Sequence, residues 1–157
     1  MDMIRLSVPG TLRYRDVVLR VVASVCRLVR SDPAVQQEAG HRAQALNFEE
    51  ALVSAVSEAF NNVALHAYAG RLEGRAELEA EVAHDTITIR LSDFGQPFDP
   101  SQQTLPDLDG LHESKMGLYL IRSCVDAFSY VRGNPPRSPN VMTLKKSYFA
   151  DRNDGSG

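Results

Sequence analysis

Glu58-Ala-Phe-Asn61-Asn62 lies inside a stretch whose apolar residues, Leu52, Val56, Ala59 and Val63, recur every three to four positions. That spacing gathers them on one face of an α-helix, which is what burial against a core requires. Glu58 and Asn62, four residues apart, stack on another face, and His66 follows one turn further along. Asn costs a helix interior about half a kcal/mol relative to Ala, and here two stand in succession. A carboxylate and a carboxamide so placed form either a solvated face or a pair that shares one divalent ion or one water.

Working outward, Asn47-Phe-Glu-Glu50 has the form of a capping box with Asn at the N-cap, so the motif helix is expected to start there. It should run to about Tyr68, with Gly70 beyond its end. Upstream, Ile4, Leu6 and Val8 alternate with polar residues and predict a strand over 3–8, closed by Pro9-Gly10. Val17, Val18, Val21, Val22, Val25, Leu28 and Val29 predict a helix over about 11–30, ended by Asp32-Pro33. Residues 33–46 read as a short helix or a loop.

Downstream, alternating segments at 76–83 and 86–91, separated by His84-Asp85, read as a hairpin. The stretch 92–113 is rich in Gly, Pro and Asp and too long for an ordinary connector, as lids are. A helix over 117–127 and strands over 128–132 and 141–147 complete the pattern. The order β-α-α-β-β-loop-α-β-β predicts an α+β fold: a two-layer sandwich with helices on one face of a mixed sheet. One domain is expected over 1–150, with a polar tail at 151–157.

At 157 residues the chain is long enough to bury a sizeable core. Its formal charge of −3 gives no basic footprint for nucleic acid. No apolar run approaches the length of a membrane span. Cys26 and Cys124 both sit in apolar helical patterns, where buried free thiols of a reducing compartment are expected. Composition therefore points to a cytoplasmic domain.

Two further motifs follow the helix: Asp93-Phe-Gly95-Gln-Pro-Phe98-Asp99, and Lys115-Met116-Gly117-Leu118-Tyr119-Leu120-Ile121. Asp93 stands just past a strand, where a carboxylate can accept from an exocyclic amine and a glycine lets backbone approach a flat ring; by itself Asp-x-Gly is also an ordinary turn. A glycine at the start of a helix lets backbone amides approach phosphate. In this order and spacing the three motifs resemble the N, G1 and G2 boxes of the GHKL (Bergerat-fold) ATP-binding superfamily. Ser57-Glu-Ala-Phe-Asn-Asn62 and Gly117-Leu-Tyr-Leu-Ile121 resemble the anti-sigma-factor serine/threonine kinases in particular.

The resemblance implies ATP and Mg²⁺ as cofactors. Asn62 would be the direct metal ligand and Glu58 the general base. Asp93, Gly95 and Thr143 would form the adenine site, while Lys115, Met116, Gly117 and Leu118 would line the triphosphate under a lid of roughly residues 100–115. Lys115 departs from the family, which usually has a second glycine there. The resemblance further implies a sigma factor and a STAS-domain antagonist as partners, a homodimer, and phosphorylation of the antagonist on Ser or Thr. The strand-helix region over residues 4–30 is a candidate dimer interface, although its valine-rich helix reads more readily as core. A non-catalytic ATP-binding interaction module of the same fold is the alternative; retention of Glu58 speaks for the kinase.

Overall fold

The computed structural model describes residues 2–69, 74–97 and 113–150, with the side chains of 113–116 left out. Five strands form one sheet in the order β1-β2-β3-β5-β4. They are β1 (Asp2–Pro9), β2 (Arg75–Ala83), β3 (Thr86–Asp93), β4 (Ala127–Val131) and β5 (Asn140–Ser147). All four pairings are antiparallel, so the α+β sandwich is as expected but its sheet is not mixed. The physical reason lies in the connections. The β2–β3 and β4–β5 links are hairpins, and the excursion through α1–α3 brings β2 back antiparallel beside β1. The α4 excursion brings β4 back parallel to β3, but β5 lies between the two, so no parallel pair forms.

Helices α1 (Arg15–Ser31), α2 (Pro33–Ala39), α3 (Phe48–Asn62) and α4 (Glu113–Cys124) accompany the sheet. The predicted stripe of α3 is the core: Leu52, Val56 and Ala59 are fully buried and Val63 nearly so. They meet Ile87, Ile89 and Leu91 of β3 and Met142 and Leu144 of β5 in one cluster with Val18, Val22 and Val29 of α1. Along β3 every second side chain, Ile87, Ile89, Leu91 and Asp93, points into this layer. The opposite sheet face carries ion pairs, Arg5–Glu79 at 3.3 Å and Arg90–Glu81 at 3.2 Å, as a solvated face should.

Local details depart from expectation. Asn47 adopts φ 57°, and its side chain makes no capping bond; its carbonyl accepts from the Ala51 amide at 2.8 Å instead. Beyond Asn62 the helix loosens into a π-turn, Val63–Ala67, closed by the Tyr68 amide on the Val63 carbonyl at 3.0 Å. Helix α4 begins at Glu113, a turn earlier than expected. Cys26 is buried, which pushes its thiol up to about 12 and leaves it unreactive. The predicted tail, Gly70 and most of the predicted lid lie outside the described residues.

Candidate functional site

Glu58 and Asn62 emerge half-buried from α3 on the side that faces α4. Gly117 is the reason they fit: a methyl group built there would lie 3.0 Å from Glu58 Oε2 and 3.8 Å from Asn62 Oδ1. Glycine costs a helix interior about 1 kcal/mol, and here it lets backbone approach the carboxylate and the carboxamide together. Gly117 therefore sits inside α4 rather than at its N-terminus, so its own amide is not one of the free helix-end donors. Leu118 is buried at 3% exposure. The side chains of Lys115 and Met116 lie outside the described residues. Asn61 turns away from Glu58 and accepts from Arg15 Nη1 at 2.7 Å, tying α1 to α3.

Asp93 ends β3 and is buried to 5% exposure. Burial pushes its carboxyl above the usual range, against the hydrogen bonds from Asn140 and the Gly95 amide that pull it down. Both bonds go to Oδ1, at 3.0 and 2.9 Å. A small recess of about 10 Å³ lies between this carboxylate and Asn62; it is lined by Asn62, Val63, Ala67, Asp93, Tyr130 and Met142 among others. A larger open cleft of about 730 Å³ shares Ala67 with the recess and runs past Tyr68, Gln96, Pro97 and Pro135.

The loop after Asp93 is pinned to the π-turn. The Gln96 amide donates to the Ala67 carbonyl at 2.8 Å. A methyl group on Gly95 would lie 2.4 Å from that same oxygen, so only glycine permits the contact. Tyr68 adds a second tie: its hydroxyl accepts from the Phe94 amide at 2.8 Å and donates to the Arg75 carbonyl at 2.6 Å.

The structure thus gathers Glu58, Asn62 and Gly117 at one end of a groove and Asp93 and Gly95 at the other. Thr143 does not join them. It pairs across the sheet with Arg90 and Ser129, and strand alternation sets it on the face opposite Asn140, Met142 and Leu144. The residue that reaches Asp93 from β5 is Asn140, directly opposite it in the β3–β5 register. Sequence reasoning missed Asn140 and Tyr68. Apart from Asn140 opening the last strand, neither had a local signal.

Among the described residues no three His, Cys, Asp or Glu side chains come together as a metal cage. One neutral carboxamide oxygen at the groove suits an ion that takes most of its ligands from phosphate and water, as Mg²⁺ does. No helix among the described residues is long and apolar enough to cross a membrane.

Residues 8–145 match the family described as "Histidine kinase-like ATPase domain". An "Anti-sigma F factor" of Clostridium beijerinckii is 35% identical over 100 residues, covering 59% of this chain and 67% of the relative. A "Serine-protein kinase RsbW" of Listeria innocua is 30% identical over 133 residues, 80% of this chain and 76% of the relative. The protein of the same name from Staphylococcus epidermidis is 32% identical over 111 residues, 64% of this chain and 68% of the relative.

This chain belongs to the anti-sigma-factor kinase family of histidine kinase-like ATPases.

Proposed function

We propose that the protein is an ATP-dependent serine/threonine kinase that acts as an anti-sigma factor and phosphorylates a STAS-domain antagonist. The observation that carries this reading is the approach of Gly117 to Glu58 and Asn62 together, which sets a potential base beside a potential metal ligand. The names of the relatives, an anti-sigma factor and serine-protein kinases, support it.

In this reading Asp93 accepts the 6-amino group of adenine, and Gly95 lets the loop lie close beneath the ring. Asn62 Oδ1 would hold Mg²⁺, which when bound neutralises charge on the β- and γ-phosphate oxygens. Glu58 accepts the proton of the attacking hydroxyl, a task for which its partly solvated carboxylate is available. Transfer then needs chiefly positioning, and α3 and α4 supply it. A homodimer is part of the proposal; the apolar stripe of Val17, Val21 and Leu28 beside Ile4 of the edge strand β1 supports it. So is a cytoplasmic setting, where sigma factors meet RNA polymerase.

The test is transfer of labelled γ-phosphate from Mg·ATP to a purified STAS-domain protein of the same genome. Label on a Ser or Thr of that protein is expected, and Glu58→Gln should retain ATP while losing transfer. Undiminished transfer by Glu58→Gln would remove Glu58 as base. Binding of ATP without transfer to such a partner would favour the non-catalytic interaction module.

A further inference from the structure

Asn140 is completely buried at the start of β5, and nothing in the proposed chemistry uses it. Its amide is fully directed. Nδ2 donates to Asp93 Oδ1 and to the Gly95 carbonyl, each at 3.0 Å, and Oδ1 accepts from the Gly133 amide at 3.0 Å. The amide has one orientation only. Turned over, it would set its NH₂ against the Gly133 N–H and its oxygen against two acceptors.

This fixes what Asp93 can be. A proton on Oδ1 would point at a donor, so that oxygen is held as an acceptor twice over, by Asn140 and by the Gly95 amide. Among the described residues both bonds spare Oδ2. A proton on Asp93 would therefore have to sit on Oδ2, and the two bonds donated to Oδ1 favour the ionised form over that one. In the ionised form Oδ2 accepts from an exocyclic amine, whereas it meets the carbonyl of guanine as a second acceptor. The same amide ties the loop after Asp93 to the β4–β5 turn, since it holds both Gly95 and Gly133.

We propose that Asn140 is a specificity-determining positioning residue, which favours the ionised, accepting form of Asp93 and thereby biases the pocket toward 6-amino over 6-oxo purines. The inference rests on the reading of this groove as a nucleotide site and adds to it the residue that sets base choice. Groups facing Asp93 from the neighbouring elements are Tyr68 beyond the π-turn, Tyr130 of β4 and, acting through Tyr68, Glu77 of β2. The Tyr68 hydroxyl donates elsewhere, to the Arg75 carbonyl.

The experiment is calorimetric titration of the full chain with ADP and with GDP from pH 5.5 to 9, for the wild type, Asn140→Ala and Asn140→Asp. The melting temperature of each is recorded at each pH. Without the Asn140 donor, Asp93 takes up its proton at higher pH. Asn140→Ala should therefore lose ADP affinity toward acid, by about tenfold relative to wild type at pH 6, with the gap closing toward pH 9. Asn140→Asp keeps the shape and the acceptor for Gly133 but sets a second carboxylate against Asp93. That pair holds together by sharing a proton and repels when both ionise, so its ADP affinity should fall as pH rises. Both variants should narrow the preference for ADP over GDP.

Opposite pH slopes in the two variants support the proposal, because a scaffold defect lowers affinity equally at every pH. Parallel profiles alongside normal wild-type binding overturn the role of Asn140 and leave the nucleotide site standing. Failure of the wild type to bind ADP at any pH overturns the nucleotide reading, and this inference with it. Should Asn140→Ala not fold, the isosteric Asn140→Asp alone decides, by the sign of its slope.

Discussion

Gly117→Ala separates stability from activity with opposite signs. In the interior of α4 the change should stabilise the helix by up to about 1 kcal/mol, because glycine is the poorer helix former by that amount. The new methyl would stand 3.0 Å from Glu58 Oε2, whereas ordinary contact begins near 3.4 Å. The carboxylate is the far end of a flexible, partly exposed side chain, so it can retreat by about 0.4 Å, and the fold survives. Catalysis is less forgiving. If a misplacement of about 1 Å costs about a hundredfold, 0.4 Å costs about sixfold, or ~1 kcal/mol of barrier. Asn62 stays in ordinary contact at 3.8 Å, so Mg·ATP affinity should hold within about twofold.

The assay pairs differential scanning fluorimetry with single-turnover phosphotransfer at saturating ATP. The melting temperature should hold or rise by about 2–4 °C while the transfer rate drops several-fold. A variant that transfers phosphate at the wild-type rate would refute the reasoning, since Glu58 would then tolerate displacement. So would one that melts well below the wild type, since the close approach would then be a packing requirement of the core.

Asn62→Ala should abolish Mg-dependent ATP binding in calorimetry while leaving the melting temperature within a few degrees; Mg-dependent binding at wild-type strength would exclude Asn62 as the ligand. Tyr68→Phe loses the bonds to the Phe94 amide and the Arg75 carbonyl, about 1 kcal/mol each, so the melting temperature should fall by about 4–8 °C and ADP affinity with it. Asp93→Asn follows from linkage. The folded protein holds this carboxyl above its unfolded value, so the ionised group opposes folding at every pH above the folded pKa, and that cost fades as pH falls toward the ordinary Asp range. Asp93→Asn should therefore melt higher than wild type at pH 8, by a margin that shrinks toward pH 4, and should lose ATP; a margin independent of pH would contradict the buried charge.

What was legible in the sequence was whatever a single element determines. The stripe Leu52, Val56, Ala59 and Val63 declares both a helix and its buried face, and the same period puts Glu58 beside Asn62. Asp93 after an alternating run declares a carboxylate at a strand end. What depends on two elements was not legible. Thr143 and Asn140 are three residues apart on one strand, and only the β3–β5 register decides which of them faces Asp93. Gly117 reads as a helix start because no capping residue marks Glu113. Its contact with Glu58 spans two helices that no local pattern relates. Asn47 reads as a cap by residue type, yet its left-handed φ carries the side chain away from the helix amides.

The π-turn at Val63–Ala67 works as a ruler. One end of it is Asn62, and its last carbonyl, Ala67 O, holds the loop that follows Asp93 through Gln96. The distance between the Glu58–Asn62 end and the Asp93 end of the groove is therefore written into five residues of wide helix. Removing one of them would restore an ordinary helical turn, rotate Ala67 by roughly 100° and leave the two halves of the groove measuring the wrong nucleotide length.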